Sequence, residues 1–415
     1  MVDGIRRSRS QRVGPSRLIA TLLVTESADR FQYFSHVSCK LPGMPRNAWY
    51  PRAAFAGFML GALATARVIA RRRRRLELRG RVVLITGGSR GLGFAAARRF
   101  IEAGADVAIC ARDRTELERA EAELRKVAAR YTERASGQAI PRVIALRADV
   151  TDERATQQLV ADTIARFGRV DVLVNCAIEI AIGPLESMNA SDFQSAFRSI
   201  FFGTYYPTYA VLPHMRARHF GRIVNVTSIS GKLPIPHSST YVTGKFATTG
   251  FSAAATIELR KYGIRVSTVM PPPLRNGAWM NVAYKGNADR ELSWFAGALS
   301  LPLASANTER AARAIVDAAR HGYAETMVSP LSWLQSRFYS LFPETTISLA
   351  AAADQYLLPT CPPGAGEAPA VSAAEILVNT ENPKVQKVAR HGQSDAARYL
   401  QPLASMINGN GRKPN

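Results

Sequence analysis

Short apolar runs at residues 82–85, 107–110, 143–146, 172–174, 223–226, 266–269 and 326–329 punctuate the chain, with helical patterns between them. Each run is nearly continuous rather than alternating, as a strand is when helices cover both faces of its sheet. Strand and helix in succession imply a doubly wound parallel α/β sheet. The stretch 116–130 reads as one of the helices, with Asp113 placed to cap it and Glu116 to complete a capping box.

The first run leads into Thr86-Gly87-Gly88-Ser89-Arg90-Gly91-Leu92-Gly93, and a helical pattern begins near Leu92. Gly87 and Gly91 allow a tight turn and a close approach to a pyrophosphate, while Gly93 lets the helix pack on the strand. The phosphate then rests on a helix N-terminus, where free N–H groups and the dipole favour an anion. Far downstream, Tyr241-x-x-x-Lys245 puts a phenol and an ammonium one helical turn apart on one face. Free tyrosine titrates near about 10. A neighbouring ammonium is expected to stabilise the phenolate and lower that value. A dinucleotide turn followed by such a pair implies hydride transfer coupled to proton transfer.

These motifs resemble the short-chain dehydrogenase/reductase family over roughly residues 78–330. The family pattern T-G-x-x-x-G-x-G is met by Thr86, Gly87, Gly91 and Gly93, and Asn175-Cys176-Ala177-Ile178 stands where N-N-A-G is usual. Ser228 lies thirteen residues before Tyr241, the spacing of the family's serine. The stretch 295–303 with Glu309-Arg310-Ala311-Ala312 resembles a group of bacterial members, which brings no substrate with it. The resemblance implies a Rossmann-like catalytic domain with Ser228, Tyr241 and Lys245 as catalytic residues. Tyr241 is expected to protonate a carbonyl oxygen, Ser228 to hydrogen-bond that oxygen, and Lys245 to hold the nicotinamide ribose. It also implies a cofactor set of Thr86, Gly87, Ser89, Arg90, Gly91, Leu92, Gly93, Arg112, Asp149, Val150, Asn175, Ala177, Tyr241, Lys245, Pro271 and Asn276.

Cofactor choice is read at the end of the second strand, where an acidic side chain would bind the ribose of NAD. This chain has Ala111-Arg112 there, with Arg90 in the glycine turn. Two guanidiniums clamp a 2′-phosphate through charge-assisted bonds, so NADP(H) is expected over NAD(H). Solvated surface arginines are the alternative.

Three departures from the family pattern cluster around the site. Ile200 stands where a water-holding asparagine is frequent, and Ser199 beside it is expected to point elsewhere. Pro271-Pro272-Pro273 replaces Pro-Gly, with Asn276 in the place of a threonine. Cys176 and Ile178 replace a polar residue and a glycine.

The net charge of +22 is uneven: residues 1–81 hold 17 Lys and Arg against four Asp and Glu, a surplus of 13. No nucleic-acid motif accompanies that arm, so the charge does not read as a nucleic-acid site. Residues 1–48 read as a basic, disordered extension, with Met44 an alternative start to Met1. Residues 49–75 combine an uncharged run at 53–66 with five arginines, Arg71 to Arg75. Fourteen uncharged residues fall short of the about 20 a span needs. The segment reads either as a membrane anchor, with the arginines toward the cytoplasm and anionic lipid, or as an amphipathic helix packed on the enzyme. Residues 76–330 form the catalytic domain, 331–358 a helical apolar extension, and 359–415 a disordered, low-complexity tail. Four scattered cysteines and six histidines show no metal-ligand or disulfide spacing, which suits a reducing compartment and implies no metal.

The expected function is NADPH-dependent reduction of a ketone or aldehyde on an apolar substrate, with a cytoplasmic catalytic domain. Phe201, Phe202, Trp279, Trp294 and Phe295 are candidate pocket residues. The alternatives are the same enzyme oxidising an alcohol, or an NADP-binding scaffold or sensor at the membrane. A homo-oligomer is implied by the resemblance alone.

Overall fold

The computed structural model describes residues 75–134, 139–275, 278–300, 305–366 and 368–379. The basic extension 1–48, nearly all of the apolar segment 49–75, Asn276 and residues 380–415 lie outside these. The chain runs β1 (Val82–Thr86), α1 (Gly91–Glu102), β2 (Asp106–Ala111), α2 (Arg114–Arg134), β3 (Val143–Arg147), α3 (Glu153–Phe167) and β4 (Val172–Asn175). After β5 (Ile180–Ile182) come α4 (Ala190–Phe197), α5 (Gly203–Ala217), β6 (Gly221–Val226), α6 (Ser239–Glu258) and β7 (Ile264–Met270). Next are β8 (Leu274–Arg275), β9 (Val282–Tyr284), α7 (Ala288–Ser300), β10 (Ala306–Asn307), α8 (Thr308–His321) and β11 (Glu325–Met327). The described chain closes with α9 (Pro330–Leu341), α10 (Pro343–Leu357), β12 (Val371–Ser372) and α11 (Ala373–Asn379).

Seven strands form a parallel sheet in the order β11-β7-β6-β4-β1-β2-β3. Side chains alternate across it. Val83 and Ile85 enter a core with Phe100 of α1, Leu124 of α2 and Ile315 of α8. Leu84 enters the opposite core with Leu159 of α3, Met215 of α5 and Ala255 of α6. Both faces are covered, so the strands are apolar throughout. Beneath the sheet, the fully buried carboxylate of Asp171 accepts from Val82 N (3.1 Å) and Arg218 Nη2 (2.7 Å) and pairs with Arg169, joining the starts of β1 and β4.

A third, smaller core holds Trp279, Tyr284, Leu292 and Ala296 over the C-terminal side of the strands, with Ala373 and Ile376 of α11 packed into it. The three-stranded sheet β12-β9-β5 forms part of this cap. The expected disordered tail is therefore corrected for residues 371–379: Val371 pairs with Tyr284, and Ala373 and Ile376 are buried. Such a short segment shows little periodicity of its own; the cap orders it.

Candidate active site

A cleft of about 840 Å³ opens at the carboxyl ends of β1, β4, β6 and β7. It includes the point where the strand order reverses between β1 and β4, the usual ligand site of an open α/β sheet. Gly87, Ser89, Arg90, Gly91, Leu92, Gly93, Arg112, Asp149, Val150, Ala177, Ser228, Tyr241, Lys245 and Pro271 all line it. Thr86 and Asn175 do not.

The glycine turn is compact for a steric reason. Gly87 and Gly91 have φ of 66° and 57°. A Cβ on Gly93 would stand 2.1 Å from the Gly87 carbonyl oxygen, so the helix start and the turn pack to the limit. Glu116 has another use than the expected capping box. Asp113 does cap, accepting from Glu116 N at 2.7 Å, but the Glu116 carboxylate reaches the turn. There it accepts from Ser89 Oγ (3.2 Å) and Arg90 Nη1 (2.9 Å). Arg112 pairs with Glu179 beyond β4. Both arginines thus sit at one end of the cleft, each held by a carboxylate: Glu116, which the sequence pointed to only as part of a capping box, and Glu179, which it did not point to.

Thr86 and Asn175 support the cleft from behind. Thr86 Oγ1 accepts from the amides of Cys176 (3.0 Å) and Ala177 (3.3 Å), fixing the loop that follows β4. Asn175 donates to Asn225 Oδ1 (2.8 Å) and Thr208 Oγ1 (3.0 Å), bracing β4 against β6 and α5. In this structure both brace the walls of the cleft. Asp149 lines the cleft while its carboxylate accepts from Thr151 N at 2.9 Å, shaping the turn into α3.

Tyr241 and Lys245 lie on α6, and Ser228 at the end of β6 faces them. Lys245 is 1% exposed, donates to Val226 O (3.0 Å), and its Nζ lies 5.6 Å from the Tyr241 ring centre. Burial lowers the ammonium to about 8. Burial likewise raises Tyr241 to about 12, with the Ser228 hydroxyl bonded to the phenol pulling the other way. The expectation that Lys245 would lower the tyrosine is thus corrected: loss of water around the phenol outweighs its neighbours. At neutral pH Tyr241 carries its proton.

The departures resolve unequally. Residues 198–202 between α4 and α5 form a π-helical turn. Its five-residue hydrogen-bond step breaks the 3.6-residue period on which side-chain direction is read. Ser199 therefore lines the cleft, against expectation. Ile200 is 1% exposed and packs on Gly244 of α6, whose Cβ would lie 3.0 Å from it. The three prolines line the cleft with their ends anchored: Pro271 O accepts from Ile229 N (3.0 Å), and Pro273 O from Ala306 N (2.8 Å).

The wall beyond Tyr241 is apolar. Ile178, Ile180, Ile182, Ile235, Trp294 and Phe295 line it. Of the other aromatic candidates, Trp279 is buried in the cap core, and Phe201 and Phe202 belong to a stack with Phe197, Tyr205 and Tyr206. Trp294 donates to Glu291 (2.6 Å), which is fully buried and bonded to His237 Nδ1 (2.8 Å). His237 Nε2 pairs with Asp354 of α10 at 3.0 Å. Burial alone would depress His237, but Glu291 and Asp354 outweigh it and hold the imidazole above its ordinary value.

The family description "short chain dehydrogenase" matches residues 81–285. L-fucose dehydrogenase of Mus musculus is 32% identical over 54% of this chain and 76% of its own length. The chain belongs to the short-chain dehydrogenase family. Also similar to this short-chain dehydrogenase is 3-dehydrosphinganine reductase of Danio rerio, 31% identical over 48% of this chain and 57% of that protein. Among solved structures, a short-chain dehydrogenase from Streptomyces avermitilis aligns with a TM-score of 0.54 and 25% identity, over 67% of this chain and 98% of that one. Levodione reductase aligns with 0.53 and 27%, over 63% and 99%. The protein is an oxidoreductase acting on CH–OH or C=O groups, of a family that uses NAD(P).

Proposed function

We propose that this short-chain dehydrogenase is an NADPH-dependent reductase of a ketone or aldehyde carried on an apolar molecule. The observation that carries the reading is a protonated Tyr241 beside Ser228 and Lys245 in one cleft with the glycine turn, backed by an apolar wall. The residues fit the cofactor. The tight turn at Gly87–Gly93 receives the pyrophosphate on the N-terminus of α1, and Arg90 and Arg112 take the 2′-phosphate. Asp149, Val150, Ala177, Lys245 and Pro271 complete its bed, with Asn276 outside the described residues. When bound, NADPH supplies a hydride to the carbonyl carbon. Tyr241 gives its phenolic proton to the carbonyl oxygen, and Ser228 donates a hydrogen bond to the same oxygen. Lys245 holds positive charge beneath the phenol, and its bond to Val226 O keeps it there.

The isoleucines, Trp294 and Phe295 favour a hydrocarbon-bearing substrate, closer in kind to the substrate named for 3-dehydrosphinganine reductase than to fucose. Residues 49–75 are the proposed membrane anchor, with the catalytic domain on the cytoplasmic side, and a homo-oligomer is expected from the family. The test is NADPH consumption by the full chain across medium- and long-chain ketones and aldehydes. Wild type should turn over at least one, and Tyr241→Phe should lose about 10²–10⁴-fold in kcat while still binding NADPH. Tight NADPH binding without turnover of any substrate would instead favour the scaffold.

A further inference from the structure

Helix α9 is amphipathic in reverse. The side chains it buries are Ser332 and Ser336, at 2% and 4% exposure, with Ser336 Oγ 3.5 Å from Met327 Sδ of β11. Leu331, Trp333, Leu334, Phe338 and Leu341 are 39–72% exposed. Helix α10 extends this surface: none of its residues is buried, and Ile347, Leu349, Tyr356 and Leu357 are 45–76% exposed. Burying serines while exposing a tryptophan and four large apolar side chains is backwards for a helix whose only solvent is water.

The pattern of charge says what covers it. Across residues 330–358 only Arg337, Glu344 and Asp354 are charged, and Asp354 is turned to His237. Between Glu344 and Asp354 the helix carries no charge; Thr346, Ala350 and Ala353 form a half-buried stripe on one face and the rest is exposed. A protein partner rims its contact with charged and polar groups, whereas a helix at the headgroup–acyl boundary needs one open apolar face with few charges. Fifteen residues make a helix of about 22 Å, short of the about 20 residues a span requires. Among the described residues no helix is long and apolar enough to cross a membrane. The geometry is that of a helix lying in the interface, with Trp333 and Tyr356 suited to the headgroup level. The same chain delivers five consecutive arginines immediately before Leu76, whose amide bonds to Arg320 O at 2.7 Å. Helix α9 begins ten residues after Arg320. Such a cluster is drawn to anionic headgroups.

We propose that the α9–α10 hairpin docks on the surface of an anionic lipid bilayer, its apolar side chains at the headgroup–acyl boundary. This surface is separate from any anchor at 49–75 and does not depend on the reaction assigned to the cleft.

The experiment uses the full chain and vesicles of phosphatidylcholine and phosphatidylglycerol whose acyl chains carry shallow bromine quenchers. The Trp333 signal is taken as the difference between wild type and Trp333→Phe. Quenching of that difference signal by brominated lipid is expected. In parallel, Leu349→Glu and Leu357→Glu should each weaken the hairpin's contact roughly tenfold, read as loss of Trp333 quenching at limiting lipid. Protein that sediments with vesicles while Trp333 stays unquenched would mean that the N-terminal segment alone holds the membrane, and would overturn the proposal. So would failure to bind vesicles. A mass in sedimentation that doubles with concentration, reverts in Leu341→Glu, and leaves Trp333 unquenched would assign the face to a second copy and overturn it as well.

Discussion

At the scale of single residues, the site works by controlling which groups keep their protons and charges. Tyr241, raised to about 12, is a phenol throughout the physiological range and so is set to donate. Lys245 is lowered to about 8, so its charge is present below that pH and lost above it. The rate of carbonyl reduction should therefore decline as pH rises through about 8, while NADPH itself is chemically stable there; a kcat/KM profile from pH 6 to 10 checks this, and a flat profile would deny Lys245 its electrostatic role. Arg90 and Arg112 are partnered by Glu116 and Glu179 at the rim of the cleft. A charge-assisted bond to phosphate contributes about 1.5–3 kcal/mol. Replacing either arginine by alanine should raise the KM for NADPH by roughly 10–100-fold and leave that for NADH nearly unchanged. Equal effects on both cofactors would assign the arginines to the surface.

Elements matter here through the joints between them. Helix α10 touches the body through Asp354, bonded to His237, which is bonded in turn to the buried Glu291 beneath Trp294 on the cleft wall. His237 accepts a left-handed φ of 55° to reach both carboxylates. Because its folded pKa is raised, its ion pairs stabilise the protein fully below its unfolded value of about 6.5. That stability is lost as pH rises through the higher folded value. Wild-type Tm should accordingly fall from pH 6 toward pH 9 by more than the Tm of His237→Gln does, with the apolar cleft wall loosening in step. Identical slopes in the two proteins would rule out this linkage. The π-helical turn at 198–202 is the other telling joint: it turns Ser199 to the cleft and Ile200 into the core, the reverse of what a regular helix implies.

For the whole molecule, the body and the cap divide the labour. The sheet and the helices packed on it carry the glycine turn, Ser228 and, on α6, the Tyr241/Lys245 pair, while the cap supplies Trp294 and Phe295. The cap closes through β12 and α11, which bury Ala373 and Ile376 against β9 and α7. A chain ended at residue 366 should keep NADPH affinity within a few-fold but lose most of its selectivity for apolar over small carbonyl substrates. Loss of cofactor binding as well, measured by fluorescence titration, would show that the cap is needed for the body to fold.

The strand runs and the glycine turn were legible in the sequence because their cause is local: two-sided burial makes a strand apolar throughout, and a turn this tight admits no Cβ at Gly93. The Tyr241/Lys245 pair was legible because four residues return a helix to the same face. Other features answer to contacts between segments far apart in the chain. Glu116 reaching Arg90, Thr86 holding the loop at Cys176, the ordering of residues 371–379 and the raised proton affinity of Tyr241 all depend on neighbours that no local pattern encodes. The sequence by itself determined the sheet, the turn and the chemistry-bearing side chains. Tertiary packing alone decided which of them face the cleft, which brace it from behind and which stay charged, because orientation and desolvation are properties of the assembled surroundings.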